Sequence, residues 1–170
     1  ASAQAQEYRI APIDLVALLA ETTDDLWALA RDKQVDVRTI ASPDTALCLG
    51  DQALLRRALA NVINNAIKFS PEGGVVACAI AERGPHWVVS VRDQGPGIAP
   101  ELQDKLFTPY QRLHDRSHPA VQGVGLGLAL VATVVQRHGG SLEVDSDTGR
   151  GAEFRLVLPR SEHGPEDSEG

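Results

Sequence analysis

Gly123-Val124-Gly125-Leu126-Gly127-Leu128 sets three glycines two residues apart, directly before an apolar stretch of helical period that runs from Gly127 to His138. Glycines ahead of a helix let the backbone come close to a phosphate, whose charge is met by unpaired N–H groups and the positive end of the helix dipole. The stretch narrows the fold by what it excludes. It lacks the GxxxxGK[ST] spacing of a P-loop, and it has neither the GxGxxG spacing nor the βαβ surroundings of a dinucleotide fold. Its company is more informative than the stretch alone. Upstream stand a glycine pair behind an aspartate, Asp93-Gln94-Gly95-Pro96-Gly97, and an asparagine-rich segment, Asn61-Val62-Ile63-Asn64-Asn65-Ala66-Ile67-Lys68-Phe69; downstream stands Gly149-Arg150-Gly151.

With 170 residues, 43% of them hydrophobic, the chain suits one globular domain with a substantial core. Its net charge of −7, from 16 Lys and Arg against 23 Asp and Glu, argues against a nucleic-acid surface, which needs clustered cations. A polyphosphate ligand remains compatible with this charge, because backbone donors and a few local cations can hold one. No apolar run reaches membrane-spanning length, so no membrane contact is expected of this segment. The absence of methionine points to a piece of a longer protein. Cys48 and Cys78 lie in apolar, strand-like runs and read as buried reduced thiols, which suggests a cytoplasmic setting and leaves open a membrane anchor in the parent.

Pro12 and Asp14 suggest a helix start, with Leu15, Leu18, Leu19, Thr22, Leu26 and Leu29 at helical spacing as far as Lys33. Residues 1–11 read as a linker from a missing upstream domain. Two short strands, 35–40 and 46–49, flank the Ser42-Pro43-Asp44 turn, and Asp51 caps a long helix with Leu54, Leu55, Ala58, Leu59, Val62, Ile63 and Ala66 on its inward stripe. That stripe leaves Asn61, Asn65 and Lys68 together on a neighbouring face. Strands 75–81 and 87–93 form an antiparallel hairpin about Arg83-Gly84-Pro85, and strands 141–146 and 152–158 form another across Asp147-Thr148-Gly149. Between them lie a short helix over 100–107, a polar lid over 108–122 and the helix from Gly127. Residues 12–159 thus read as the domain and 160–170 as an acidic flexible tail. Helices and hairpins alternate without a βαβα rhythm, which predicts an α/β two-layer sandwich: helices packed on one face of a mixed, largely antiparallel sheet.

The ends of these elements carry an inventory for a nucleotide triphosphate. Asp93 can accept a hydrogen bond from the exocyclic amine of adenine, or simply cap its hairpin; Gly95 and Gly97 behind it favour the former. Asn65 offers a hard, neutral oxygen suited to Mg²⁺, which keeps most of its waters and leans on substrate phosphates; an exposed helix asparagine is the plainer alternative. Lys68 can reach a phosphate. Phe69 can cover a base edge or seal the core.

Taken in order, NVINNAIKFS, DQGPGI, LFTPYQR, GVGLGL and GRGAEF resemble the five boxes of a sensor histidine kinase catalytic and ATP-binding domain, a branch of the GHKL ATPase and kinase superfamily. The resemblance spans roughly Leu15 to Pro159. It implies a Bergerat fold, with ATP held under a flexible lid. By position it implies Mg²⁺ coordination at Asn65, a catalytic role for Asn61 one turn before it, and phosphate contact at Lys68. Phe69 is implied near the base, Asp93 at the adenine amine, and Gly95, Gly97 and Ile98 along the base. Phe107 and Tyr110 fall in the aromatic box, with Tyr110 at the nucleotide, and Arg112 matches an arginine able to approach the γ-phosphate. Gly123, Val124, Gly125, Leu126, Gly127 and Leu128 match the hinge of the lid, and Ala152 the last nucleotide contact.

Two positions depart from the family pattern. Val124 stands where Thr or Ser is common, and Ala152 replaces a threonine whose hydroxyl could hold a water near adenine, so somewhat weaker nucleotide affinity is expected. In hydrolytic superfamily members and the anti-sigma serine kinases a glutamate precedes the metal asparagine by four residues and can act as a base. Asn61 cannot, whereas an imidazole acceptor is nucleophilic near neutral pH and needs mainly positioning and charge stabilisation. His86, His114, His118, His138 and His163 lack the context of the family's phosphoacceptor, and His138 reads as a last-turn histidine where a helix C-terminus favours a cation. The resemblance therefore implies transfer of the γ-phosphoryl of Mg·ATP to a histidine on a separate dimerisation domain of the parent, and onward to a response regulator. The segment itself would be monomeric and its parent a homodimer. A nucleotide-sensing pseudokinase or scaffold module without phosphotransfer is the alternative.

Overall fold

The computed structural model describes residues 9–97, 119–146 and 149–161, and of residues 119–126 the backbone only. Its elements run β1 (Ile10–Asp14), α1 (Leu15–Asp25), α2 (Trp27–Lys33), β2 (Asp36–Ala41), β3 (Leu47–Asp51), α3 (Gln52–Phe69), β4 (Val75–Arg83), β5 (His86–Arg92), α4 (Pro119–Arg137), β6 (Ser141–Ser146) and β7 (Ala152–Pro159). A five-stranded sheet in the order β2-β4-β5-β7-β6 carries the expected mixture: β2 runs parallel to β4, and every other neighbour is antiparallel. Alternate residues of its inner face, Val76, Cys78 and Ile80 with Val89 and Val91 and with Phe154, Leu156 and Leu158, join one core with Leu18 and Leu19 of α1, Leu55, Leu59 and Ile63 of α3, and Val131 and Val135 of α4. Helices on one face of a largely antiparallel sheet is the arrangement that the alternation of hairpins and helices predicts.

Three expectations need correction, on the start of the first helix, its continuity and the start of α4. Pro12 does not open a helix: residues 10–14 form β1, antiparallel to β3, so the strand begins inside the segment read as a linker. Asp14 does cap α1, and its Oδ1 also accepts the Ala46 N–H at 2.9 Å, which binds the strand end to the chain before β3. The first helix breaks at Leu26, whose N–H is shared between the Thr22 and Thr23 carbonyls while both threonine hydroxyls bond back to the preceding turn. The strands around Ser42-Pro43-Asp44 both exist but enter different sheets, β2 against β4 and β3 against β1. Finally, α4 starts at Pro119, so residues 119–122 of the expected lid and all three glycines of the opening stretch are helical. Proline suits a first helical position, and a glycine inside a helix costs only about 1 kcal/mol, a small sum against an apolar face that packs on the core.

Asp51 caps α3 through the Leu54 N–H, as its place before the apolar stripe predicts. Cys48 and Cys78 are free and buried, and burial pushes both thiols up to about 11. None of the described helices is long and apolar enough to cross a membrane.

Candidate functional site

Asp93 follows directly on β5, between the end of α3 and the start of β7. It is 7% exposed. Its Oδ1 accepts the N–H groups of Gly95 at 2.8 Å and Ala152 at 3.2 Å, and its own N–H donates to the Ala152 carbonyl at 2.9 Å. Burial pushes the carboxyl above the usual aspartate range, against the pull of those two N–H bonds. One oxygen is thus fixed by the protein, and no hydrogen bond within the described residues engages the other. A carboxylate so oriented caps the turn after β5 and is at the same time a hydrogen-bond acceptor of fixed direction.

Two glycines make this placement possible. A Cβ at Gly95 would run into the Phe69 carbonyl, so the loop after Asp93 lies flush on the end of α3. A Cβ at Gly151 would strike the Asp93 carbonyl, and φ there is +81°. Glycine alone meets both demands. The Ser146 hydroxyl donates to the Gly151 carbonyl at 2.7 Å and holds that backbone in place. Neither the Ser146 bond nor the contact between Gly151 and Asp93 was read from the sequence: the first is a side-chain detail within the last hairpin, and the second joins strands that only the folded sheet brings together. Gly97 lies on the described part of the same loop.

Asn61 and Asn65 stand half-buried on one face of α3, with Lys68 exposed a turn further on, as helical spacing predicts. Gly127 of α4 faces them. A Cβ there would sit 3.3 Å from Asn65 Nδ2 and 3.8 Å from Asn61 Cβ, so the glycine gives the two asparagines room. Lys68 Nζ lies 5.6 Å from the Phe69 ring, and Phe69 is half-buried against the core, so this residue seals the core and borders the site at once. Lys33 of α2 donates to the Lys68 carbonyl, a support for the end of α3 that no sequence pattern announces.

The glycine stretch has a different local structure from the one expected. Gly123, Gly125 and Gly127 lie past the first turn of α4, where N–H groups bond within the helix, so they are not the open cradle of a helix N-terminus. Leu128 is fully buried in the core. Val124 and Leu126 are helical, and their side chains lie outside the described residues, as do Ile98, Phe107, Tyr110, Arg112, His114, His118 and His163 and the segments expected as a short helix and a lid over 100–118. His138 also departs from expectation. Its Nε2 accepts the Asp51 N–H at 2.9 Å while Nδ1 faces the Val134 carbonyl at 2.7 Å, a pair of bonds that the neutral ring makes and an imidazolium cannot.

Asn61 and Asn65, side by side on α3 where Gly127 approaches, carry carboxamides whose oxygens are neutral, hard donors. Such a set suits Mg²⁺, which takes few protein ligands and completes its shell with water and phosphate. Among the described residues, no three His, Cys, Asp or Glu side chains form a metal-holding group.

Residues 50–162 match the family model of the histidine kinase-, DNA gyrase B-, and HSP90-like ATPases. The sensor-like histidine kinase SenX3 of Mycobacterium tuberculosis is 39% identical over 147 residues, which cover 86% of this chain and 36% of its own. Among solved structures, the mycobacterial sensor histidine kinase MprB shares 33% identity at a TM-score of 0.73, over 88% of this chain and 97% of that one. Full-length ShkA in complex with AMPPNP shares 30% identity at a TM-score of 0.80, over 94% of this chain and 33% of that one. The two-layer arrangement is that of the histidine kinase catalytic domains, the Bergerat fold. The chain spans about a third of the length of the curated relatives it matches, 36% for SenX3.

Proposed function

Because the chain belongs to the histidine kinase-, DNA gyrase B- and HSP90-like ATPase family, we propose that it is the ATP-binding catalytic domain of a two-component sensor histidine kinase. In this reading it presents Mg·ATP to a histidine on the dimerisation domain of its parent, and the phosphohistidine then supplies a response regulator. The observation that carries the reading is Asp93, buried at the end of β5 with one oxygen held by two backbone N–H groups and its carboxylate fixed in direction. Such an acceptor suits the exocyclic amine of adenine. Gly95, Gly97 and Ile98 would lie along the base, with Ala152 behind Asp93 and Phe69 and Tyr110 at the ring's edges.

Mg²⁺, when bound, neutralises charge on the phosphates, and Asn65 would hold it with Asn61 beside it. Lys68 and Arg112 would meet the phosphates. Asn61 takes no proton. The acceptor imidazole supplies its own electron pair: a nitrogen–phosphorus bond forms, the bond from the γ-phosphorus to the β–γ bridging oxygen breaks, ADP leaves with that electron pair, and the imidazole proton passes to water. The chain's part is to orient the nucleotide and stabilise charge. For Gly123, Gly125 and Gly127 to offer N–H groups to phosphate, with Val124, Leu126 and Leu128 as their spacers, the first turns of α4 must unwind, which three glycines make easy.

Labelled ATP mixed with this chain and a helical dimerisation domain bearing the parent's acceptor histidine tests the reading. Mg-dependent label on that histidine, absent with Asp93→Asn, is the expected result. Nucleotide binding without any transfer would leave a scaffold module, and steady phosphate release by the chain alone would mark a hydrolase.

A further inference from the structure

We propose that His138 is a positioning residue for the nucleotide site, one that pins the end of α4 to the start of α3 and ties both helices to the incoming strand β1. Asp51 is the centre of the joint. Its Oδ1 caps α3 through the Leu54 N–H at 3.1 Å, and its Oδ2 accepts the Arg9 N–H at 3.1 Å from the residue that leads into β1. Its own N–H donates to His138 Nε2 at 2.9 Å, and His138 Nδ1–H donates in turn to the Val134 carbonyl at 2.7 Å, which fixes the tautomer and the plane of the ring. Gly50 lets the ring lie against β3: a Cβ there would stand 2.6 Å from His138 Cδ2. The end of β3, the start of α3, the residue that leads into β1 and the end of α4 are therefore joined through Asp51 and the His138 ring.

The consequence is felt at the other end of the helix pair. Asn61 lies ten residues along α3 from Asp51, and Gly127 lies eleven residues back along α4 from His138, each about 15 Å from the joint at the helical rise of ~1.5 Å per residue. There the two helices meet again, Gly127 against Asn65 and Asn61. Between these two points the helices pack through the shared core, and the joint adds a polar fastening at the end remote from the asparagines. The joint therefore helps to set the spacing of the asparagines from α4, and Asp51 links it to the residue that leads into β1. The importance of that spacing for ATP rests on the function proposed above; the joint itself does not.

The test uses the full chain and two readouts, amide exchange without ligand and calorimetry with Mg·AMPPNP well below the melting temperature. His138→Phe keeps a ring and removes the acceptor, His138→Gln offers a carboxamide oxygen in its place, and Arg9→Pro removes the donor at β1. His138→Phe should weaken nucleotide binding about fivefold, the effect of one lost neutral hydrogen bond, and speed exchange at Asn61–Asn65 relative to the β5 and β7 amides. His138→Gln should restore most of both. Arg9→Pro should weaken binding in the His138 chain and add nothing in the His138→Phe chain, since both changes break one path. A lowered melting temperature with affinity and relative exchange unchanged would overturn the proposal, as would additive effects of the two substitutions. Should His138→Phe prevent folding, unchanged affinity and exchange in Arg9→Pro overturn it equally. If the unaltered chain binds no nucleotide, the functional reading fails and the exchange readout alone decides the joint.

Discussion

Asp93 combines two demands that usually conflict, since a buried carboxylate costs stability and a nucleotide-recognising one must stay ionised. The fold keeps its carboxyl above the ordinary aspartate value of 3.8, chiefly through burial. A raised value means that the carboxylate's penalty is absent below the unfolded value and grows as the pH rises through the folded one. Asp93→Asn removes that penalty while its amide oxygen can still accept from Gly95 and Ala152. The variant should melt no lower than the parent at pH 7, yet lose about 10- to 100-fold in ATP affinity as a charge-assisted bond disappears; calorimetry and thermal melting on the same samples check both halves. In the unaltered chain, affinity should start to fall on acidification before the pH reaches the ordinary aspartate range, and a titration series at constant ionic strength reads that onset. The candidate role of Asp93 was legible in the sequence because an acid at a strand end before two glycines is a local pattern. Its partner Ala152 was not, since it lies 59 residues away on β7.

At the scale of the element, α3 follows from its sequence almost completely. An aspartate cap, an apolar stripe of period 3.6 and a polar face with Asn61, Asn65 and Lys68 all agree, and local agreement of this kind is what makes a helix readable. Helix α4 shows the limit of such reading. Its glycines suggest a loop by intrinsic preference, and the structure makes them helical because packing of α4 on α3 outweighs a preference of about 1 kcal/mol per residue. If these turns must open to expose N–H groups to phosphate, Gly125→Ala should raise the melting temperature and weaken nucleotide binding about fivefold, because alanine favours the closed helix by roughly 1 kcal/mol. Calorimetry decides: an affinity equal to that of the parent would mean that α4 stays helical when nucleotide binds.

At the scale of the whole molecule, the chain's last described residues help to join the two-stranded sheet to the five-stranded one. The Leu47 carbonyl accepts from Trp87 Nε1 at 3.0 Å and from the Ser161 N–H at 2.9 Å, while Arg160 donates its N–H to the Pro85 carbonyl and covers the Trp87 ring at 4.8 Å. This strap ties β3, and through it β1, to the far end of β5. A chain ending at Pro159 should lose about 2 kcal/mol, from two backbone hydrogen bonds and a cation–π contact, and melt roughly 4–8 °C lower. Its ATP affinity in calorimetry should be unchanged, since Asp93 lies at the other end of the strand. The sequence by itself determined the class of fold, the helix that carries the asparagines, both hairpins and the position of Asp93, because cap, turn and periodicity are written within a few neighbouring residues. Only the tertiary structure decided that β2 runs parallel to β4, that β1 pairs with β3, that Gly151 presses on Asp93, and that His138 accepts from Asp51 across 87 residues. Those are pairings between distant segments, and their selection depends on how a shared core is filled, a quantity that no local stretch of sequence contains.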